Sequence, residues 1–436
     1  METATLITAV LVIALALFFD FTNGFHDTAN AMATPIATGA LKPRTAVLLA
    51  AVLNLVGAFL STEVAKTISG GIIREEEISA AIFPAVILAG LIGAITWNML
   101  TWLLGLPSSS SHALFGGLIG ATIVGVSVTA IDFGVVMSKV ILPAIIAPLT
   151  AGLIAFTVTK IAYAATRRYD SKADGRDGFR VGQIFTSSLV ALAHGTNDAQ
   201  KTMGIITLLL ITVGLQDHPE PEWWVIVACA VTIALGTYMG GWRIIRTLGK
   251  GLTEVKPAQG FAAESSTAST ILASSALGFA LSTTQVASGS VIGSGLGRRG
   301  SQVRWRTAGR IMIGWVLTLP AAGGVGALAA LIVTWLGFWG IIIDAVLATA
   351  VILLIFLRSR RNEVNASNAM SEVAESGRAV KVKKNPPPTR RQRALAREEA
   401  RRSASAAAAA KKAAKSAQTP KPPQPTASGS KEGGER

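Results

Sequence analysis

The sequence predicts an all-α polytopic membrane protein with about 10–12 membrane segments, arranged as two inverted-topology repeats with broken helices and re-entrant hairpins. The first observation is composition: of the 436 residues, 50% are hydrophobic and only 15% are charged, which disfavours an ordinary soluble protein. The second is a series of apolar runs, several of which approach the roughly 20 residues of a membrane-spanning helix. The third is a set of polar landmarks that recur 171–173 residues apart.

The apolar runs fill most of residues 1–358. They lie at 3–19, 45–60, 81–104, 139–159, 223–242, 311–334 and 341–357. The first run is not typical of a cleavable signal peptide, because Glu2 precedes it without any Lys or Arg. The single cysteine, Cys229, excludes an intramolecular disulfide and a cysteine-rich metal site.

Residues 359–436 differ in kind from the rest of the chain. They carry 18 basic and 7 acidic residues, so most of the net charge of +15 belongs to this segment. The high charge is therefore no argument for nucleic-acid binding. Rich in Ala, Pro, Lys and Arg, the segment has too little apolar surface to fold, which predicts a disordered basic cytoplasmic tail. An alternative is that the tail binds anionic lipid headgroups.

The three landmarks indicate that the body of the chain is a duplication. They are Asp27 and Asp198, the hydroxyl clusters at 109–111 and 282–284, and Pro148 with Gly152 against Pro320 with Gly324. We therefore expect a membrane repeat at 1–165, a cytoplasmic basic connector at 166–182, a second membrane repeat at 183–358 and the tail at 359–436.

Loop charges predict the orientation of the two repeats. Basic loops at 166–180, 243–256 and 298–310 are expected in the cytoplasm, whereas the acidic loop 216–222 is expected outside. Matched segments then run in opposite directions, with the N-terminus outside and the tail inside a plasma (inner) membrane. Inverted repeats are typical of secondary transporters that bind substrate near the midplane, although a channel could share this plan.

Asp27 and Asp198 lie in long apolar segments, 3–41 and 183–213, that Gly and polar residues interrupt. We expect each helix to break at its motif, where protein or bound ions satisfy the freed backbone groups. A carboxylate at that depth costs at least about 2.5–3.5 kcal/mol, so it should bind a cation or hold a proton. The alternative, a loop aspartate that caps a helix, explains one such residue better than a symmetric pair.

The hydroxyl clusters 108–111 and 282–284 each precede a short segment punctuated by glycine. This pattern favours two hairpins in which Ser or Thr caps the following helix. A helix N-terminus with hydroxyl groups is a ready anion site. Two such caps facing two carboxylates favour phosphate over sulfate, because phosphate near neutral pH carries a proton that it can donate to a carboxylate.

Other polar residues are interpreted by their position. His26, His112 and His194 fall inside the motifs and suggest a site that titrates near neutral pH, whereas His218 lies in an outer loop. Lys201 is expected either to neutralise Asp198 or contact the anion, or to reach the headgroups instead. Three further acidic residues are placed at segment ends and taken as structural. They are Asp20, Glu264 and Asp344.

The motifs resemble the repeated signature of the inorganic phosphate transporter (PiT) family, approximately G-A-N-D-x-A-N with a later S-[ST]-[ST]-H element. The copies here read Gly24-Phe25-His26-Asp27-Thr28-Ala29-Asn30 and Gly195-Thr196-Asn197-Asp198-Ala199-Gln200-Lys201. The likeness covers most of residues 10–335. Within the family, the sequence resembles the bacterial low-affinity branch. The sequence departs from the pattern at His26 and Lys201, where Asn is expected, and at Gln285, where His is expected.

The resemblance implies uptake of inorganic phosphate, free or as a metal–phosphate complex, by a homodimeric symporter in the lipid bilayer. Coupling to H⁺ is favoured over Na⁺, because the departures remove oxygen ligands. No cofactor and no structural metal site are expected. The residues expected to bind phosphate are Ser110, Ser111, Thr283, Thr284, Thr28, Gln200 and Lys201. Those expected to handle the cation or proton are Asp27, Asp198, Asn30, Asn197, His26, His112 and His194.

Two other functions remain open at this point. One is a sulfate permease on the same scaffold, and the other is a non-transporting membrane sensor or scaffold that acts through its tail. An ATP-driven pump or a membrane enzyme is disfavoured, since the sequence has no G-x-x-x-x-G-K-[ST] loop.

Overall fold

The computed structural model describes residues 3–68, 73–74, 78–79, 81–166 and 175–369, which are almost entirely helical. Within these ranges no β-strand is formed, and only two isolated β-bridges occur, Ile73 with Ile131 and Thr253 with Val303. Most of the predicted tail, from residue 370 onward, lies outside the described residues, as does the connector from 167 to 174.

Fourteen α-helices follow one another along the described residues. Those of the first predicted repeat are α1 Thr3–Ala37, α2 Pro43–Ala58, α3 Glu63–Ile68, α4 Phe83–Leu104, α5 Ser110–Gly125, α6 Phe133–Val135 and α7 Leu142–Ala165. The later ones are α8 Gly175–Thr212, α9 Trp223–Met239, α10 Trp242–Arg246, α11 Pro257–Ala276, α12 Thr283–Gly297, α13 Trp305–Leu336 and α14 Phe338–Ser359. Two π-helical turns, Val136–Ile141 and Thr247–Gly251, adjoin α7 and α10.

Five helical stretches of the described chain are long and apolar enough to cross a membrane: Thr5–Ala37, Phe83–Leu104, Phe133–Ala165, Trp305–Leu336 and Phe338–Ser359. A sixth forms if the bent pair Trp223–Met239 and Trp242–Gly251 is counted as one span. This criterion gives fewer segments than the sequence predicted, in part because α2, α5 and α12 have only 16, 16 and 15 residues.

The two motif helices differ from the sequence prediction of a break at each motif. Both α1, with 35 residues, and α8, with 38, run as continuous helices through Asp27 and Asp198. Their motif side chains are satisfied by neighbouring helices, so the helical backbone hydrogen bonds need not open. A bend of 57° occurs instead between α9 and α10, where Gly240 has a φ of 69° that favours glycine.

The helices of the two predicted repeats pack on each other reciprocally. Helix α7 packs on α12 and α13 packs on α5, while α1 packs on α9 and α8 packs on α2. Such an exchange of partners is what a two-fold relation between duplicated halves produces. The opposite orientation of the halves in the membrane, and the exact repeat boundaries, stay predictions.

Glycine contacts fix how the helices of the two halves correspond. A Cβ on Gly293 would lie 1.9 Å from the carbonyl oxygen of Gly152, and a Cβ on Gly120 would lie 2.0 Å from that of Gly323. Gly323 is therefore the counterpart of Gly152. The predicted match of Gly152 with Gly324 is wrong by one residue, and no heavy atom of a neighbour lies within 4 Å of a Cβ built on Gly324.

Candidate functional site

The N-termini of α5 and α12 are built alike. The side chain of Ser109 accepts a hydrogen bond from the backbone N–H of His112 at 3.2 Å, and Ser282 accepts one from Gln285 at 3.3 Å. Both serines have extended backbone angles typical of an N-cap. The predicted helix caps are confirmed, and the buried first turns of both helices carry the predicted hydroxyl groups.

Asp27, on α1, is buried against His26, the preceding residue, and against the first turn of α12. Its Oδ1 lies 2.7 Å from His26 Nδ1 and accepts a hydrogen bond from Thr284 Oγ1 at 3.1 Å. Its Oδ2 accepts one from Thr283 Oγ1 at 3.3 Å. These groups are hydroxyls and an imidazole, so Asp27 has no partner that carries a fixed positive charge among the described residues.

Asp198, on α8, has a different set of partners. Its Oδ1 forms an ion pair with Lys201 Nζ one turn later on the same helix. Its Oδ2 accepts a hydrogen bond from Thr283 Oγ1 at 2.9 Å. His194 Nε2 lies 2.8 Å from the same oxygen, an ion-pair contact rather than a well-aligned hydrogen bond.

Asp27 and Asp198, predicted from the repeated motifs, come together at one place. His194 Nε2 lies 3.9 Å from Asp27 Oδ2, and Thr283 contacts both carboxylates. One ligand atom from each of Asp27, His194 and Asp198 lies within 4.8 Å of the other two, which is close enough to hold a cation. These three residues, with Lys201, Thr283 and Thr284, are called the central cluster below.

Lys201 joins the central cluster to α5. Its ammonium group donates to Ser111 Oγ at 2.6 Å and to the carbonyl oxygen of Leu281 at 3.0 Å, in addition to its contact with Asp198. The side chain is only 1% exposed. The alternative that Lys201 reaches the lipid headgroups is therefore wrong. The structure instead shows Lys201 in an ion pair with Asp198.

Several buried polar atoms beside the central cluster have no protein partner. Asn30 Nδ2 donates to Thr284 Oγ1 at 3.0 Å, but its Oδ1 has no partner, and the same holds for Ser110 Oγ. A buried polar atom without a partner is unfavourable unless water or a ligand satisfies it. The unpartnered oxygen atoms of Asn30 and Ser110 are therefore candidate contacts for a bound ion or anion.

Other predicted site residues make their contacts elsewhere. Thr28 Oγ1 donates to the carbonyl oxygens of Gly24 and Thr237, at 2.7 and 3.2 Å. Gln200 Oε1 accepts the backbone N–H of Val64 at 2.7 Å and so caps α3. The structure therefore does not bring Thr28 or Gln200 into the central cluster.

Two further predicted residues lie at hairpin contacts. Asn197 Nδ2 donates to Ser275 Oγ at 2.9 Å, near the end of α11. His112 Nδ1 lies 3.3 Å from Gln285 Nε2, so the corresponding positions of α5 and α12 contact each other. Both residues are buried; His112 joins α5 to α12, whereas Asn197 joins α8 to the end of α11.

Comparison with known proteins identifies the chain. Residues 23–326 match the Phosphate transporter family. The chain belongs to this family. A protein from Mycobacterium tuberculosis (strain ATCC 25618 / H37Rv), named a probable low-affinity inorganic phosphate transporter, is 54% identical over 366 residues, 83% of this chain and 87% of the relative. A protein of the same name from Bacillus subtilis (strain 168) is 43% identical over 328 residues, 74% of this chain and 96% of the relative.

A solved structure shares the fold of this phosphate transporter family member. It is named the sodium-dependent phosphate transporter and matches with a TM-score of 0.68 at 24% identity, covering 76% of this chain and 99% of that one. Together with the apolar helices, these relationships confirm a multi-pass membrane transporter that is not an enzyme.

Sequence reasoning missed Asn54 and named Ser108 only as part of the cluster 108–111, although both support the site in this transporter. Asn54, on α2, contacts His194 Nδ1 at 3.2 Å through its Oδ1 and donates to Thr237 Oγ1 at 2.6 Å. Ser108 Oγ lies 3.3 Å from His26 Nε2. Asn54 could have been found as the polar residue inside the apolar run 45–60.

Three acidic residues placed at segment ends by the sequence lie inside helices instead. Asp20, Glu264 and Asp344 occur within α1, α11 and α14, and all three are buried. Asp20 Oδ1 accepts a hydrogen bond from Thr202 Oγ1 at 3.1 Å. The error has a simple cause, because in a membrane helix an acidic residue can be tolerated in the middle when neighbouring helices supply donors.

Proposed function

We propose that this transporter takes up inorganic phosphate together with a cation, with H⁺ favoured over Na⁺, by alternating access. The central cluster carries the proposal: carboxylates from two duplicated helices meet at the N-terminus of the short helix α12, and Lys201 contacts Ser111 at the N-terminus of its counterpart α5. Phosphate transport itself is the property of the family and of the low-affinity relatives.

The anion would bind between the N-termini of α5 and α12. Unpaired N–H groups in a first helical turn and hydroxyl groups both favour oxyanions. Ser110, Ser111, Thr283 and Thr284 supply the hydroxyls, and the ammonium group of Lys201 adds a positive charge at Ser111. A protonated phosphate oxygen would donate to Asp27, whereas sulfate has no proton to donate near neutral pH.

The charges within the central cluster leave room for only a small number of co-transported cations. Lys201 already neutralises Asp198, so only Asp27 lacks a fixed positive partner. His26 and His194 contact the two carboxylates and can accept protons, which supports proton coupling. The sodium dependence in the name of the solved neighbour belongs to that protein, which at 24% identity shares the fold of this chain.

A divalent metal would enter as cargo with phosphate rather than as a resident cofactor. Asp27, His194 and Asp198 offer two carboxylates and an imidazole within 4.8 Å of one another, a donor set that suits several divalent metals. Binding there would need His194 in its neutral form, so metal–phosphate uptake is expected to weaken as the medium becomes acidic.

The burial of the central cluster supports alternating access. Each of its side chains is at most 5% exposed, so the conformation described is closed toward both sides. Substrate can enter and leave only if α5 and α12 separate from the motif helices on one side at a time. The reciprocal packing of α7 on α12 and of α13 on α5 would let each hairpin move with the opposite half.

The test is uptake of labelled phosphate into proteoliposomes that contain the purified full chain. An inward proton gradient is expected to drive accumulation without sodium, and excess sulfate is expected not to compete. Accumulation that needs sodium would overturn the proton assignment, and competition by sulfate would favour a sulfate permease. Deletion of 362–436 is expected to leave uptake intact, whereas a sensor acting through the tail would need that segment. The homodimer and the inner-membrane location stay predictions.

A further inference from the structure

A long groove runs between α14 and the helices α1 and α4. It has a volume of about 930 Å³, which is near the upper end of the range for ligand pockets. Its walls are mostly apolar and include Phe18, Leu88, Ile92, Ile352 and Leu353. Two of its lining side chains, Leu353 and Phe356, are 54% and 44% exposed, so the groove opens at the protein surface.

The groove follows the helices lengthwise. Its lining residues extend from Leu11 to Phe25 on α1 and from Leu88 to Trp102 on α4. From Leu11 to Phe25 the helix rises about 21 Å, at 1.5 Å per residue. That length exceeds the roughly 15 Å of hydrocarbon in one bilayer leaflet. The groove is therefore long enough to hold an extended acyl chain of a lipid.

The end of the groove just beyond the last turn of α14 is charged. Arg360 and Glu363 line it, and both side chains are exposed. Arg243, on α10, donates to the carbonyl oxygens of Leu103 at 3.2 Å and of Ser359 at 2.9 Å, so it joins the ends of α4 and α14 there. Two guanidinium groups and one carboxylate give this end of the groove a net charge of +1.

Tryptophan side chains lie at the same end of the groove. Trp102 and Trp242 both line it, and Cζ of Arg243 lies 5.8 Å from the ring centroid of Trp102. Tryptophan is enriched where the apolar core of a membrane meets the lipid headgroups, because its ring is apolar but carries one polar N–H group. The apolar groove thus ends in the combination of aromatic and basic side chains that suits the headgroup level of a bilayer.

We propose that this groove binds an anionic phospholipid, with the phosphate group beside Arg360 and Arg243 and an acyl chain along α1, α4 and α14. The apolar walls suit the acyl chain, and the net positive end suits a headgroup with one negative charge. A zwitterionic phospholipid has the same chains, but its headgroup brings no net charge to balance the basic end. Binding of this lipid does not depend on which cation is co-transported.

The experiment measures how tightly two phospholipids bind to the purified full chain in detergent micelles. They are dioleoyl phosphatidylglycerol, which is anionic, and dioleoyl phosphatidylcholine, which is zwitterionic, and native mass spectrometry counts the lipid molecules bound to each chain. Phosphatidylglycerol is expected to bind at least about fivefold more tightly, which is the effect of one basic residue near an anionic headgroup. Equal binding of the two lipids would overturn the proposal.

Arg360→Gln tests the contact with the headgroup. It is expected to weaken binding of phosphatidylglycerol about fivefold and to leave binding of phosphatidylcholine unchanged. Arg361→Gln is the matched control, because Arg361 is the next residue, is exposed and does not line the groove. The control is expected to change binding by less than about twofold. Equal losses in the two variants would mean that the charge of the whole segment attracts the lipid, and would overturn the proposal.

Thr349→Trp tests the contact with the acyl chain. Thr349 lines the groove on α14, so a tryptophan there would fill part of its volume. Binding of phosphatidylglycerol is expected to weaken about tenfold, because loss of two buried methylene groups has at least that effect. Val346→Trp, on the same helix at an exposed position outside the groove, is the matched control and is expected to leave binding unchanged. Unchanged binding by Thr349→Trp would overturn the proposed position of the chain.

Two other occupants of the groove would give different results. If a second copy of this chain covered the groove, Thr349→Trp would change the oligomeric state measured by light scattering, whereas a lipid site leaves that state the same. If residues 370–436 filled the groove, their deletion would strengthen the binding of both lipids, whereas a lipid site keeps its preference for phosphatidylglycerol without them. A changed oligomeric state, or stronger binding of both lipids after the deletion, would overturn the proposal.

Discussion

The two carboxylates of the central cluster occupy corresponding positions but have different partners. Asp27 contacts His26 and the hydroxyls of Thr283 and Thr284, whereas Asp198 forms an ion pair with Lys201. The difference follows from the motif itself. Asn30 and Lys201 are matched positions, and so the second copy carries an ammonium group where the first carries an amide.

This comparison shows that the caps of the two duplicated short helices have kept one geometry, whereas the partners of the two carboxylates have diverged. Ser109 and Ser282 each accept a hydrogen bond from the backbone N–H three residues later, which is the cap geometry that the proposed phosphate site uses at α5 and α12. Under the proposed function, the ion pair with Asp198 makes Lys201 the source of one positive charge that a co-transported ion would otherwise bring. An internal charge pair at this depth is stable only while both partners remain, because an unpaired buried charge is costly.

The largest effects are expected from substitution of the two carboxylates. Asp27→Asn is expected to lower phosphate uptake about 100-fold with little loss of stability, because Asp27 has only neutral or titratable partners. Asp198→Asn is expected to lower uptake as strongly and also to destabilise the fold by about 3–5 kcal/mol, because it leaves the ammonium group of Lys201 buried and unpaired. Uptake into proteoliposomes and thermal unfolding in detergent measure the two effects.

The double substitution Asp198→Asn with Lys201→Asn is the control for this difference. It removes both charges, so we expect it to recover most of the lost stability while uptake remains low. Equal stability of Asp27→Asn and Asp198→Asn would contradict the unequal partnering of the two carboxylates. Wild-type uptake in both single variants would contradict their role in transport.

Lys201→Asn alone restores the residue of the first copy and sharpens the comparison. Asp198 would then lack a positively charged partner, as Asp27 does, and would need a cation from solution. Proton-driven uptake is expected to fall about tenfold, and sodium is expected to raise the remaining uptake about threefold by taking the place of the ammonium group. Lys42→Asn, at the exposed N-cap of α2, serves as the control. Unchanged uptake without any response to sodium would show that Lys201 does not act as an internal cation.

The sequence predicted those site residues that are unusual in an apolar membrane segment. Asp27 and Asp198 stand out because a carboxylate inside a membrane segment needs a partner, and the duplication predicts that they meet. The contacts of Thr28 and Gln200 were not predictable in the same way. Which neighbour a polar side chain reaches depends on the helices packed around it, and spacing along one helix does not specify those neighbours.

The same limit applies to the repeat itself. Spacing matched Gly152 with Gly324, whereas the packing of α13 on α5 assigns that place to Gly323. One residue shifts a helix by about 100°, so the two glycines point to different neighbours. Sequence spacing alone does not resolve such a shift within a run of small residues.

The smallest effects are expected from alanine at the glycines where the halves meet. Gly120→Ala and Gly293→Ala would each place a Cβ about 2 Å from a backbone oxygen of the opposite half. Backbone atoms cannot rotate away, so each substitution is expected to destabilise the fold by about 1–3 kcal/mol, and by similar amounts because the contacts correspond. Gly324→Ala, which meets no neighbour within 4 Å, is the control and is expected to change stability by less than about 1 kcal/mol. Thermal unfolding in detergent compares the three variants. If Gly324→Ala destabilised the fold as much as Gly120→Ala, Gly324 rather than Gly323 would be the counterpart of Gly152. That result would contradict the correspondence between the halves.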